Sequence, residues 1–137
     1  MHYRVLWTGA LLLAGCSQRL ATPVNVRTSA GPEETFDCVK KQLKELGYKQ
    51  SSIDVDARRV NATKIDDKTR RADTQFRRML NKLEVEVSPQ ADGQTGMMVV
   101  GRTFADYTTQ RGPTEVEEKA SNEVRTAQQQ LVERCKS

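Results

Sequence analysis

Histidine is nearly missing from this chain: of 137 residues only His2 is one, and none follows it. Any domain folded from the residues beyond it therefore has no Ser-His-Asp or Cys-His nucleophile activation and no histidine-ligated metal site. Tryptophan is as scarce, with Trp7 alone, and aromatics make up 5% of the chain. The core must rest on aliphatic side chains. There is no Cys-x-x-Cys pair to suggest redox or zinc chemistry, and no glycine-rich phosphate loop. A bilayer-spanning helix needs about 20 apolar residues. The apolar run at residues 5–14 is too short to span.

That run does have the length of a signal h-region, and Met1 to Arg4 supply a short n-region with one firm positive charge. It ends in Leu13-Ala14-Gly15-Cys16. This resembles the lipobox of bacterial lipoproteins, with leucine three positions before an obligatory cysteine and small residues between. The resemblance implies a signal peptide over residues 1–15, cleavage before Cys16, and diacylglycerol on its sulfur, often with an acyl group on the new amino terminus. Two or three acyl chains anchor stably where one is marginal, at ~0.8 kcal/mol per buried methylene. Ser17, where an Asp would signal retention in the inner membrane, implies the outer membrane, facing the periplasm. Phe36-Asp37-Cys38-Val39, Leu46-Gly47-Tyr48 and Arg134-Cys135 also resemble small bacterial lipoproteins with one compact α+β domain, a resemblance that carries no activity. By topology alone the chain is similar to helix-on-sheet modules of outer-membrane assembly lipoproteins, which is analogy.

Residues 16–31 read as the lipidated cysteine and a tether, and residues 32–137 as a single α+β domain. The tether, lacking sustained period, reaches at most about 50 Å. Pro32 suits the first position of a helix, with Glu33 and Glu34 in its first turn. Phe36, Val39, Leu43 and Leu46 recur as an apolar stripe, and Gly47 is a stop. Strand-like runs follow at residues 52–56, 59–65, 79–88 and 97–107, the last the longest. A polar loop at 66–74 and a turn at 89–96 separate them. Ile53 and Val55 are expected on one face of the first run, and Leu83, Val85 and Val87 on one face of the third. Gly112-Pro113-Thr114 then opens a terminal helix, with Thr114 and Glu117 as a capping box and Val116, Ala120, Val124, Ala127, Leu131 and Cys135 in one stripe. The sum is α-β-β-β-β-α: a four-stranded antiparallel sheet with two helices packed on one face.

With Cys16 assigned to lipid, Cys38 and Cys135 remain. In an exported chain two cysteines are most simply a disulfide, with two free thiols as the alternative. Cys38 lies near the start of the first helix and Cys135 at the end of the last, so they meet if the helices are antiparallel neighbours.

The formal charge of +4 becomes +3 without Arg4, 21 basic against 18 acidic residues. The excess is local. Residues 58–82 hold nine cations against Asp66, Asp67 and Asp73. Within it, Arg58, Arg59, Arg70, Arg71, Arg77, Arg78 and Lys82 are candidates for binding anionic lipid or a cell-envelope polymer. Nucleic acid is disfavoured by the export signal and by the lack of an aromatic-interleaved basic motif. Glu84/Glu86 and Asp54/Asp56 place paired acids on one strand face about 7 Å apart, a spacing a glycosidase can use. Alternation with Val85/Val87 and Ile53/Val55 explains both as solvated faces. No catalytic residue, cofactor or metal site is expected. The leading expectation is a non-enzymatic, membrane-anchored envelope protein that binds another protein or supports an assembly. The alternative is a module that binds polyanions through residues 58–82.

Overall fold

A computed structural model describes residues 19–136. The expected signal segment, Cys16 and Ser17 lie outside the described residues. The elements are β1 (Val24–Thr28), α1 (Pro32–Glu45), β2 (Lys49–Asp54), β3 (Arg59–Asp66), β4 (Phe76–Pro89), β5 (Thr95–Thr109), β6 (Gly112–Glu118) and α2 (Asn122–Cys135). The fold is α+β, with two helices and an antiparallel sheet, but the sheet has six strands rather than four.

The long β4–β5 hairpin is the frame. Leu83, Val85 and Val87 alternate on β4 opposite Gly101, Val99 and Met97 of β5. This row is fully buried beneath the helices. β3 pairs with β4 and adds Val60 and Ala62 to the same face. β2 closes that side of the sheet, with a register shift between Gln50 and Ser52. Its side chains are exposed throughout, and Ile53 and the following Val55, expected together on one face, are 46% and 58% exposed. The helices sit mainly over β4 and β5, and β2 meets α1 at Gln50, whose side-chain amide donates to the Lys40 carbonyl at 3.4 Å.

The two additional strands share the other edge of β5. β1 pairs with residues 95–99 and β6 with residues 103–109, end to end. β1 comes from the expected tether: Val24 and Val26 pack against the core and Thr28 is buried, so this part of the segment belongs to the domain. β6 replaces the expected opening turns of the terminal helix, the Thr114 and Glu117 capping pair included. Gly112, at φ +106, closes a tight turn after β5, a conformation that favours glycine. The chain then runs back along β5 as a strand, which leaves Val116 47% exposed.

α2 starts ten residues after Gly112, at Asn122, capped by Ser121, whose hydroxyl accepts from Val124 N–H. Its stripe from Val124 through Ala127 and Leu131 to Cys135 is buried as the periodicity requires. α1 buries Phe36, Val39 and Leu43 against the same sheet face. Burial of each such side chain stabilises the fold by about 1.5–3 kcal/mol. The helices lie side by side and antiparallel. Leu46, just past α1, lines one depression with Asn122 and Glu123 at the start of α2, and Cys38 in the middle of α1 is joined to Cys135 at the end of α2, with sulfurs 2.13 Å apart and Cα atoms 5.8 Å apart.

Candidate interaction surface

Both helices pack in one cluster with the inward row of β4 and β5, and among the described residues no element lies over the opposite face of the sheet. Alternation along β3, β4, β5 and β6 sends Arg59, Lys82, Glu84, Glu86, Arg102, Glu115 and Glu117 to it, since each is out of step with the buried row. Their charges interlock across strands. Arg59 pairs with Glu86 at 3.3 Å and Lys82 with Glu115 at 2.6 Å. Arg102 sits between Glu84 at 3.1 Å and Glu117 at 2.8 Å. These two carboxylates hold the Arg102 guanidinium pKa above its ordinary value, Glu117 contributing most. Further along, Arg78 reaches Asp106 at 3.1 Å, and that carboxylate is nearly buried.

Inside this mosaic lies an apolar strip. Val100 is buried, and Met98 is 36% exposed. Lys82 extends over the Phe104 ring, 4.5 Å from its centroid. Two shallow depressions of about 460 and 310 Å³ meet at Glu86 and Met98, one bounded by Asn25 and Arg27 of β1, the other by Arg59 and Asn61 of β3.

The basic segment does not form the single anionic-ligand patch that its local charge suggests. β3 separates Arg58 and Arg59 from Asp66 at its far end by about 23 Å. Most of its cations also have carboxylate partners from elsewhere in the sequence. Arg58 pairs with Glu33 at 2.6 Å, and its backbone, at φ 52, holds the β2–β3 turn. Arg71 binds both oxygens of Glu118, at 2.5 and 2.6 Å, and donates to the Tyr107 hydroxyl. That pairing draws the Glu118 pKa below the usual carboxylate range and pins the 67–75 loop onto β6. Arg70 donates to the Asp67 and Thr69 carbonyls of its own loop. Arg77 is exposed, and among the described residues no carboxylate pairs with it. Sequence reasoning missed the partners because they come from other elements, α1, β4, β5, β6 and α2. The signal that pointed to them was the alternation of Glu115 and Glu117.

The acid pairs take structural positions. Glu84 and Glu86 are each matched by an arginine. Asp54 accepts from the Ala57 N–H in the β2–β3 turn. Among the described residues no three His, Cys, Asp or Glu side chains cluster as metal ligands, and no helix is long and apolar enough to cross a membrane. The chain matches no known family model and no curated protein.

Proposed function

We propose that this chain is a lipid-anchored, non-enzymatic protein of the bacterial cell envelope, facing the periplasm from the outer membrane, whose uncovered sheet face takes another envelope protein in an assembly. The lipobox resemblance at Cys16 supports the anchor. The observation that carries the interaction reading is the uncovered face, where Arg59, Arg78, Lys82 and Arg102 stand against Glu84, Glu86, Asp106, Glu115 and Glu117. Such a face has no positive surplus with which to hold a polyanion, which needs a field of one sign. A mosaic of both signs around Met98 and Val100 suits a protein surface, with an apolar centre and a charged rim that fixes register.

The test is photo-crosslinking in cells, with the reactive residue at Met98 or, as control, at Lys41 on the exposed side of α1. The reading expects one discrete protein adduct from position 98, lost in the Arg102→Glu background, and none from position 41. Adducts equally frequent and diffuse at both positions would sink it. Mass spectrometry of the purified protein checks the anchor independently: acyl chains on Cys16 support it, and an unmodified thiol overturns it.

A further inference from the structure

We infer that the surface around Arg19, Lys119 and Arg125 is the membrane-contact face of the domain, seated on acidic phospholipid headgroups. This inference rests on the lipid anchor at Cys16 proposed above. Residues 19–23 are not loose. Ala120 N–H donates to the Leu20 carbonyl at 2.8 Å, and the Gln128 side-chain amide donates to the Thr22 carbonyl at 3.0 Å. Ala120 lies just before α2 and Gln128 in its middle, so the N-terminal segment is fastened to the domain from Leu20 onward.

The expected tether is therefore much shorter than fifteen residues. From Cys16 to Arg19 the chain spans three residues, at most about 10 Å. That is about one Debye length at physiological salt, so charges at this point act on a bilayer surface before screening removes them. The charges there are of one sign. Arg19, Lys119 and Arg125 line a single groove of about 220 Å³ together with Leu20, which is 43% exposed. Among the described residues none of the three pairs with a carboxylate. Their acidic neighbours in sequence are engaged elsewhere, Glu118 by Arg71 and Glu123 by Lys64. Three unmatched cations around an exposed leucine, next to the anchor point, complement an acidic lipid surface. The contrast with the sheet face, where the cations are matched, is what singles out this groove.

The occupied face also orients the protein. β2 lies at the opposite edge of the sheet from β1 and β6, so anchoring at Arg19 directs β2 away from the bilayer and leaves the sheet face accessible from the side.

The chain contains no tryptophan after Trp7, so an introduced indole is a unique reporter after cleavage. The experiment uses purified acylated protein carrying Leu20→Trp or Ser52→Trp, in phosphatidylcholine vesicles with or without phosphatidylglycerol and with brominated acyl chains. The expected result is quenching of the Leu20→Trp indole that increases with phosphatidylglycerol. The Arg19→Gln, Lys119→Gln, Arg125→Gln background should lose most of that quenching, and Ser52→Trp should show little in any vesicle. Acylated protein that quenches equally at both positions, or that ignores phosphatidylglycerol and the three substitutions, overturns the inference while the anchor stands. Protein that purifies without acyl chains overturns the anchor and this inference with it.

Discussion

The Gln128 side chain accepts a hydrogen bond from the Gly101 backbone N–H at 3.1 Å, in the gap between β1 and β6 along one edge of β5. β1 leaves β5 at Val99 and β6 joins it at Thr103. Between them the polar backbone of β5 is met by α2, because Gln128 also donates to the carbonyls of Val99 and Thr22, both at 3.0 Å. Gly101 permits the approach. A Cβ there would lie 3.0 Å from the Gln128 oxygen, 3.1 Å from Val124 Cγ2 and 3.2 Å from the Val124 carbonyl.

Gln128→Leu therefore strands one N–H and two carbonyls, of which those of β5 are buried. Each buried unpaired group costs about 1–3 kcal/mol, and partial solvation of Thr22 brings the expected loss to roughly 3 kcal/mol. Gly101→Ala is expected to cost about 1–3 kcal/mol through overpacking against α2. Urea unfolding measures both. A change below about 0.5 kcal/mol in both variants would mean that α2 does not seal this gap.

The Cys38–Cys135 bond closes a loop with a sequence separation of 97 and ties the middle of α1 to the end of α2, two helices that otherwise meet mainly through apolar contacts. Constraint of the unfolded chain contributes about 2–4 kcal/mol for a loop of this kind. The double variant Cys38→Ser, Cys135→Ser should stay folded and lose roughly 10 °C in Tm. Calorimetry without reductant, beside wild type with reductant, makes the comparison. Matching Tm values for oxidised wild type and the double variant would remove the bond from the account.

How much of this was legible in the sequence follows from where each element finds its partners. α1, β4, β5 and the later part of α2 carry long periodic stripes, and the helical positions of Cys38 and Cys135 made their meeting readable. β1 and β6 are different. Val24 and Val26 give β1 only two alternating apolar positions beside Pro23, and its reason to be extended is the edge of β5. Residues 114–118 carry both a capping-box spacing and a period of two, with Val116 fitting the helical stripe by chance. The length of β5 decided between these, since its overhang past β1 left an edge that a chain turning at Gly112 could fill. The basic segment misled for a related reason. Local charge counting sees Arg59, Arg71, Arg78 and Lys82, but their carboxylates arrive from strand residues 27 to 47 positions further along the chain.

The Arg71–Glu118 pair should make the 67–75 loop sensitive to acid. The pairing lowers the Glu118 pKa in the folded protein, led by the hydrogen bonds from Arg71 and opposed by partial burial. A depressed carboxylate contributes stability that is present above its unfolded value of about 4.3 and is lost as pH falls through the folded value. Amide exchange in the loop should therefore be pH-insensitive near neutrality, once intrinsic rates are removed, and accelerate below about pH 4. Glu118→Gln should show the faster exchange already at neutral pH, with global stability nearly unchanged because the pair is partly exposed. Loop protection that is the same in both proteins at every pH would remove this pair as the pin.

Tyr48 carries the opposite dependence. Its hydroxyl is buried without a hydrogen-bond partner, between the end of α1 and the start of α2, with Lys64 5.9 Å above its ring. Burial, and then the charge of Glu123, raise the phenol pKa well above its ordinary value. A raised folded pKa means the unfolded chain ionises first, at about pH 10. The contribution is thus fully present below that pH and declines as pH rises toward the folded value. Tyr48→Phe deletes the unpartnered hydroxyl while keeping the ring, so stability at neutral pH should be unchanged or higher by about 1 kcal/mol. Above about pH 10 the variant should gain further on wild type, because it has no phenol to ionise at this position. Denaturant unfolding of both proteins across that range reads the widening gap. A variant weaker than wild type by more than about 1 kcal/mol at neutral pH would show that the hydroxyl has a partner after all, an ordered water being the chemical species that fits.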